Sequence, residues 1–426
     1  MSPPRLAADP ALPQRDALLE PDVVAVRLEG RLTPGRSIRV DSCQQRWVKY
    51  RIGETLRVVY RIQVEGEAAE VVARAYSDGR SHKAFARALE TAESTGQLEP
   101  VMHDPELGTV FSVFPNDRKL AQLPALAAAS PSLTALFDVD WASSRVAAYV
   151  PESSATVACL DHTGEPVGYA KTYADKLGVG VPAAYVVLSE ALSTSPEAPR
   201  LPGLIGYAPA IRTLVVEPMS GRLLADMCGT ELDVGVAALG AALGALHRLP
   251  VDGLRPFTRL SPQGAATAAG VIGEARPDVA QAAADLAARL ADGWEQAADR
   301  PACLHGDVHP KNAIFQEGRL ALVDLDGVSA GPPAADLGSF LSRLIYARHA
   351  RSLSRHREEQ LARCFLDGYA TVRTVPAYWS VRWHTAAALL TERALRSVNR
   401  VRPAGLAHLA ELLDEGLALA SGDRGE

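Results

Sequence analysis

The chain has 426 residues, of which 47% are hydrophobic and 22% charged. At roughly 150 residues per domain this leaves room for two or three domains, and the composition excludes wholesale disorder. Lys and Arg total 44 and Asp and Glu total 50, giving a net charge of -6, so no overall basic excess points to nucleic acid or an anionic membrane.

The opening stretch MSPPRLAADPALPQRD has no apolar segment of the kind a secretory signal needs, and no run of 18 apolar residues marks a spanning helix. The five cysteines, Cys43, Cys159, Cys228, Cys303 and Cys364, are far apart and form no CxxC pair. Free thiols in a reducing cytoplasm fit them better than a disulfide framework or a zinc knuckle. In chain order, residues 1–20 read as a flexible tail, being Pro-rich and polar. Residues 21–122 read as strands: RWVKYRIG, LRVVYRIQV and EVVARAY are rich in Val, Ile and Tyr and separated by polar or Gly-containing turns. A helix is expected over 80–95, then another strand in GTVFSVFPNDRKL. Residues 123–143 read as a linker or short helix.

After it the order repeats. Tyr50–Asp78 runs parallel to Tyr149–Asp175, and FSVFPNDRKL at 111–120 parallels VVEPMSGRLL at 215–224. Four elements match in order, which predicts an internal duplication. From 223 to 426 the pattern is helical, with apolar residues at helical spacing over 234–249, 279–297 and 389–398. A strand-rich island at 302–326 interrupts it.

That island carries chemistry. CLHGDVHPKNAIFQEGRLALVDLDGVSAGPPAADLG, residues 303–338, places Asn312 five residues after Asp307, and Asp324 after a second short strand. Phosphoryl transfer needs a carboxylate for the attacking hydroxyl and oxygen ligands that hold Mg²⁺ on the ATP phosphates. Asp307, Asn312 and Asp324 supply those groups in the order of a kinase catalytic loop. A zinc reading of His305-x-Asp307-x-His309 is weaker, because no distant ligand cluster accompanies it.

HGDVHPKN, LVDLD and GPPAADLG together resemble the catalytic core of the aminoglycoside phosphotransferase and choline kinase-like family. Lys311, Leu325-Asp326 and Pro332-Pro333 depart from the usual pattern without removing a required group. The resemblance implies an α+β, two-lobed, protein-kinase-like fold: a β-rich, N-lobe-like cap over 21–122, a nucleotide-binding N-lobe over 123–222, and a helical C-lobe over 223–426. It assigns Asp307 as catalytic base, Asn312 and Asp324 as metal ligands, His305 and His309 as shapers of the loop, and Asp336 as a support beneath it.

The same resemblance makes Lys171 the phosphate-binding cation and Glu190 its orienting acid. It places the adenine edge against the backbone of Glu217, Pro218 and Met219. The turn VPESSA before Lys171 lacks the glycines of a phosphate loop, and Arg74 of the first repeat falls where Lys171 falls in the second. Because Arg cannot mimic a compact lysine charge, the first repeat is expected to be a non-catalytic cap packed on the N-lobe, as in maltokinases and some glucosamine kinases.

For the acceptor, Trp379, Trp383, His384 and Glu392 form an aromatic and charged stretch, and Asp326 adds negative charge near Asp307. Trp faces can stack on sugar rings. His247 is expected to be structural. The implied activity is ATP- and Mg²⁺-dependent phosphorylation of a small hydroxylated acceptor, a sugar, amino sugar or aminoglycoside. A choline-, homoserine- or macrolide-type kinase, or a non-catalytic nucleotide-binding pseudokinase, is the alternative.

Overall fold

The computed structural model describes residues 6–421, apart from 34–37, 78, 95, 175–179, 194–197, 298, 317 and 352. Asp78 and Asp175, which close the two repeat segments, therefore lie outside the described residues. Two five-stranded antiparallel sheets form the first half. The first holds β1 (Val40–Arg51), β2 (Thr55–Val64), β3 (Glu67–Tyr76), β4 (Val101–Asp104) and β5 (Thr109–Val113) in the order β1-β2-β3-β5-β4. The second holds β6 (Ser143–Val150), β7 (Ser154–Leu160), β8 (Pro166–Tyr173), β9 (Leu204–Ala208) and β10 (Thr213–Val216) in the order β6-β7-β8-β10-β9.

The two sheets share more than strand order. Each carries a helix between its third and fourth strands, Ser81–Leu89 in the first and Val181–Ser193 in the second. The registers also agree. Tyr50 faces Leu56 and Arg57 faces Arg74, while Tyr149 faces Ala155 and Thr156 faces Lys171. Arg74 then faces Val110, and Lys171 faces Leu214. Local chemistry sets the hairpins: Glu65 and Gly66 both adopt positive φ between β2 and β3, the geometry of a two-residue turn whose twist matches its strands.

The segment expected to be a loose tail is packed. Leu6, Leu12 and Leu18 are buried, Arg15–Leu19 and Pro21–Glu29 are helices, and Arg15 donates to the Tyr50 hydroxyl. Periodicity in so short a Pro-rich stretch is too weak to show its apolar face. The first sheet also packs beyond the second. One hydrophobic core joins Val58, Tyr60, Ile62 and Phe111 to Ile272, Leu286, Leu290 and Trp383 of the C-terminal helices. Arg400 donates to the Val48 carbonyl at 3.0 Å and lies over the Trp47 ring.

The helical half contains Gly229–Leu246 and Arg355–Ala370, which pack together, and Pro262–Ala275, Ala280–Ala297, Pro333–Ala350 and Tyr378–Ala388. Gly229–Leu246 is long and apolar enough to cross a membrane, yet half of it is buried against the protein. Leu389–Ala394 continues the Tyr378 helix as a π-helical turn, a device that often marks functional sites.

Candidate active site

Strand Ala302–Leu304 pairs with Ser329–Gly331, and Ala313–Gln316 pairs with Arg319–Leu322. The loops at 305–312 and 323–328 come together beside these short sheets. They touch backbone to backbone: a Cβ on Gly306 would stand 2.2 Å from the Gly327 carbonyl oxygen, and one on Gly327 would stand 2.6 Å from that of His305. Only glycine permits this approach, and it brings Asp307 and Asp324 into one region.

Buried Asp336, in the first turn of Pro333–Ala350, supports the first loop. Its carboxylate accepts from the backbone N–H of His305 at 2.7 Å and of Gly306 at 3.0 Å. His247 Nε2 donates to the same carboxylate at 3.2 Å, and its Nδ1 pairs with the Tyr369 hydroxyl. His305 Nε2 donates to the Val323 carbonyl, and Nδ1 accepts from the Asp307 N–H. Both ring nitrogens are thus engaged, which removes His305 from the zinc reading. His309 Nδ1 accepts from the Lys311 N–H. Burial lowers the His309 pKa to about 4, against the pull of Asp307 and with the help of Arg343, so at neutral pH the ring is uncharged.

Asp307 lies at the end of this scaffold with its carboxylate 31% exposed. Arg343 Nη2 donates to its Oδ1 at 3.3 Å, and His309 Nε2 stands 3.8 Å from Oδ2. Asn312 Nδ2 donates to the Asp307 carbonyl, which commits the amide nitrogen. Asp324 takes a left-handed backbone at φ +63°, a conformation Asp tolerates better than most residues.

Lys171 comes from β8 in the other lobe. Its Nζ lies 2.7 Å from Asp324 Oδ1 and 2.6 Å from Asp326 Oδ2. Burial opposes the lysine charge, but the two carboxylates outweigh it and raise the pKa. Burial also raises the Asp326 pKa despite Lys171, whereas Lys171 overrides burial and lowers that of Asp324. Tyr173 donates to Asp326 Oδ1 at 2.7 Å. Asp326 therefore stands beside the lysine.

Glu190 is exposed on Val181–Ser193. The buried face of that helix carries Tyr185, which lies close enough to feel Lys171 and the Leu325 backbone. Lys171 is oriented instead by Asp324 and Asp326. After β10, residues 217–221 cross to strand Arg222–Leu223, which pairs with Ala313–Gln316. Glu217 is exposed there, its N–H donating to the Gly203 carbonyl and its carboxylate accepting from the Gly203 N–H. Met219 is half-buried in the same crossing.

The aromatic acceptor assignment is also corrected. Trp383 is fully buried and donates to the Leu290 carbonyl, with its indole against Gly293. Trp379 packs against the same core. His384 is buried, bonds the Ser380 carbonyl, and has its pKa lowered to about 4 by burial. Helical spacing turned these rings inward. Glu392 does lie near the catalytic loop, buried in the π-helical turn. It accepts from Arg259 at 3.2 Å, Ser339 at 2.7 Å and Arg393 at 2.5 Å. Those cations, Arg393 first, overcome burial and hold its pKa at about 2.

Sequence reasoning missed Tyr173, Tyr185, Arg259 and Arg343. One signal was present: Arg343 follows Asp336 by two helical turns, which places both on one face. Among the described residues no cluster of three or more His, Cys, Asp or Glu has metal-site geometry. Asn312 and Asp324 nevertheless fit Mg²⁺, because a hard cation takes oxygen donors and shares its shell with phosphates and water.

The lobes, the crossing strand and the paired loops define a protein-kinase-like phosphotransferase fold. Residues 173–378 match the family described as phosphotransferase enzyme family (APH). The match leaves the first sheet and nearly all of β6–β8 outside it. No curated protein matches the chain. Among solved structures, a thermostable mutant of aminoglycoside phosphotransferase APH(4)-Ia, in ternary complex with AMP-PNP and hygromycin B, is similar over 68% of this chain and 98% of its own, at 16% identity and TM-score 0.50. APH(3'')-Id from Streptomyces rimosus is similar over 58% and 92%, at 20% identity and TM-score 0.41.

Proposed function

We propose that this protein is an ATP- and Mg²⁺-dependent O-phosphotransferase that acts on a hydroxyl of a small, sugar-like acceptor in the cytoplasm. One observation carries the reading: Lys171 of the second sheet meets Asp324 of the helical lobe at 2.7 Å, beside the loop that presents Asp307. Nucleotide phosphates and an acceptor hydroxyl can meet there, whereas in the first sheet the equivalent Arg74 is bound to Glu152.

Asp307 Oδ1 is engaged by Arg343, so Oδ2 is the oxygen that receives the acceptor proton. Uncharged His309 beside it leaves that oxygen without a competing ion pair. Lys171 releases its two carboxylates to meet the nucleotide phosphates and neutralise charge on the transferring group. Asn312 and Asp324 would hold Mg²⁺, which supplies further neutralisation of the phosphates when bound. Residues 217–221 offer backbone groups to the adenine edge.

A cationic amino sugar or aminoglycoside fits this site less well than a neutral or acidic polyol. Glu392, a carboxylate assigned to it, is held by Arg259 with Arg393. Cytoplasmic location agrees with the free cysteines. Replacing Asp307 by Asn should cut turnover about 10²- to 10⁴-fold while ATP binding stays nearly intact. Undiminished turnover of a working acceptor by D307N would refute the role.

A further inference from the structure

Asp307 stands among several guanidinium groups. Four guanidinium groups, Arg259, Arg343, Arg393 and Arg396, act on two carboxylates, Asp307 and Glu392. Arg393 is buried and spends its charge on Glu392, yet its Nε has no hydrogen-bond partner. Arg259 is bound to the Gly306 carbonyl and Glu392. Arg343 differs from both. Its Nε donates to the Val308 carbonyl and its Nη2 to Asp307 Oδ1, leaving N–H groups of a five-donor fork for another acceptor. Its side chain keeps 20% of its surface exposed, next to the 31% exposed carboxylate of Asp307. Burial and repulsion by Arg393 lower its pKa to about 9, against the pull of Asp307 and Glu392.

Geometry fixes where an anion on the Arg343 fork would sit. An acceptor hydroxyl must come within about 3 Å of the Asp307 carboxylate. Arg343 lies 3.3 Å from the same carboxylate, so a group on Arg343 is only a few bonds from the reacting oxygen. A planar fork favours a planar or tetrahedral oxyanion over a hydroxyl.

We infer that the acceptor is a polyol bearing an oxyanion, a carboxylate or a phosphate, close to the hydroxyl that is phosphorylated, and that Arg343 is the specificity-determining residue that receives it. This rests on the phosphotransferase reading above. In the transfer itself the acceptor oxygen bonds to the γ-phosphorus, the bond to the β,γ-bridging oxygen breaks, ADP leaves, and the hydroxyl proton passes to Asp307. Arg343 binds and orients without changing that balance.

The test compares acceptors that differ in the anion: D-gluconate and D-glucuronate for a carboxylate, D-glucose 6-phosphate for a phosphate, and D-glucose and D-glucosamine without either. The wild-type protein should favour one acidic acceptor over its neutral counterpart by about tenfold or more in kcat/KM, and the acid that wins identifies the anion. R343Q should raise KM for that acceptor about tenfold while KM for ATP is unchanged, and R343K should restore part of the loss. Neutral or cationic sugars turned over as well as the acids would overturn the inference and leave the phosphotransferase reading standing. So would an R343Q loss confined to kcat and equal for all acceptors, since Arg343 would then only position Asp307. Absence of ATP binding and of ATP-dependent phosphorylation of every acceptor would remove both readings.

Discussion

Arg74 and Lys171 occupy the same position in two sheets of the same strand order, and their partners separate them. Lys171 reaches across to the other lobe and holds Asp324 and Asp326. Arg74 reaches Glu152, in the β6–β7 turn of the neighbouring sheet, and shares it with Arg57 at 3.4 Å and Arg118 at 2.8 Å. A compact ammonium can release carboxylates to a nucleotide, whereas a cluster of guanidinium forks around one buried carboxylate makes a fixed joint. The joint explains the glycine-free turn. Glu152 adopts φ +57°, the Pro151 carbonyl accepts from Arg57, and the Glu152 N–H donates to Asp117. Backbone that elsewhere needs glycine is held here by the first sheet.

The largest expected effect tests the asymmetry directly. K171M should lose about 10²- to 10³-fold in kcat/KM, as removal of a preorganised charge does. R74M should stay within about threefold in the same steady-state assay; a loss matching K171M would mean that both sheets serve the nucleotide. E152Q should leave three arginines around a neutral amide and destabilise the protein by about 3 kcal/mol in urea unfolding. R74M, with Arg57 and Arg118 still paired, should cost nearer to 1 kcal/mol.

The smallest effect is a separation in pH. Burial lowers the pKa values of His309 and His384 to about 4, below the ordinary histidine value near 6.5. Their contribution is complete above about pH 6.5 and declines as pH falls toward 4, because the unfolded chain takes up protons first. Glu152 is opposed by burial but held at about 2 by Arg118, Arg74 and Arg57. Its contribution is complete above about pH 4.5 and is lost toward pH 2. Urea midpoints measured from pH 8 to 3 should therefore fall in two stages, and E152Q should shrink only the lower one, to which Glu392 also contributes.

The candidate loop could be read as one unit because its residues are contiguous. Asp307, Asn312, Asp324 and Asp336 lie within one 303–338 segment, and their spacing survives as geometry through β-pairing and a single helix start. The duplication was legible for a similar reason: strand patterns and hairpin lengths are local properties, and their register placed Arg74 opposite the same neighbours as Lys171. The aromatic stretch at 378–393 misled because Trp and His types do not say which side of a helix meets the core. Lys171's partners, 153 and 155 residues away, could not be read from spacing at all.

Local order in the chain was enough to specify strands, the repeat and a loop suited to phosphate chemistry, since these depend on neighbours a few residues apart. Which cation reaches the loop, which carboxylates arginines neutralise, and how the first sheet merges its core with the C-terminal helices were settled by folding. Burial and charge pairing act through distance in space, and the chain reveals that distance once its apolar faces have packed.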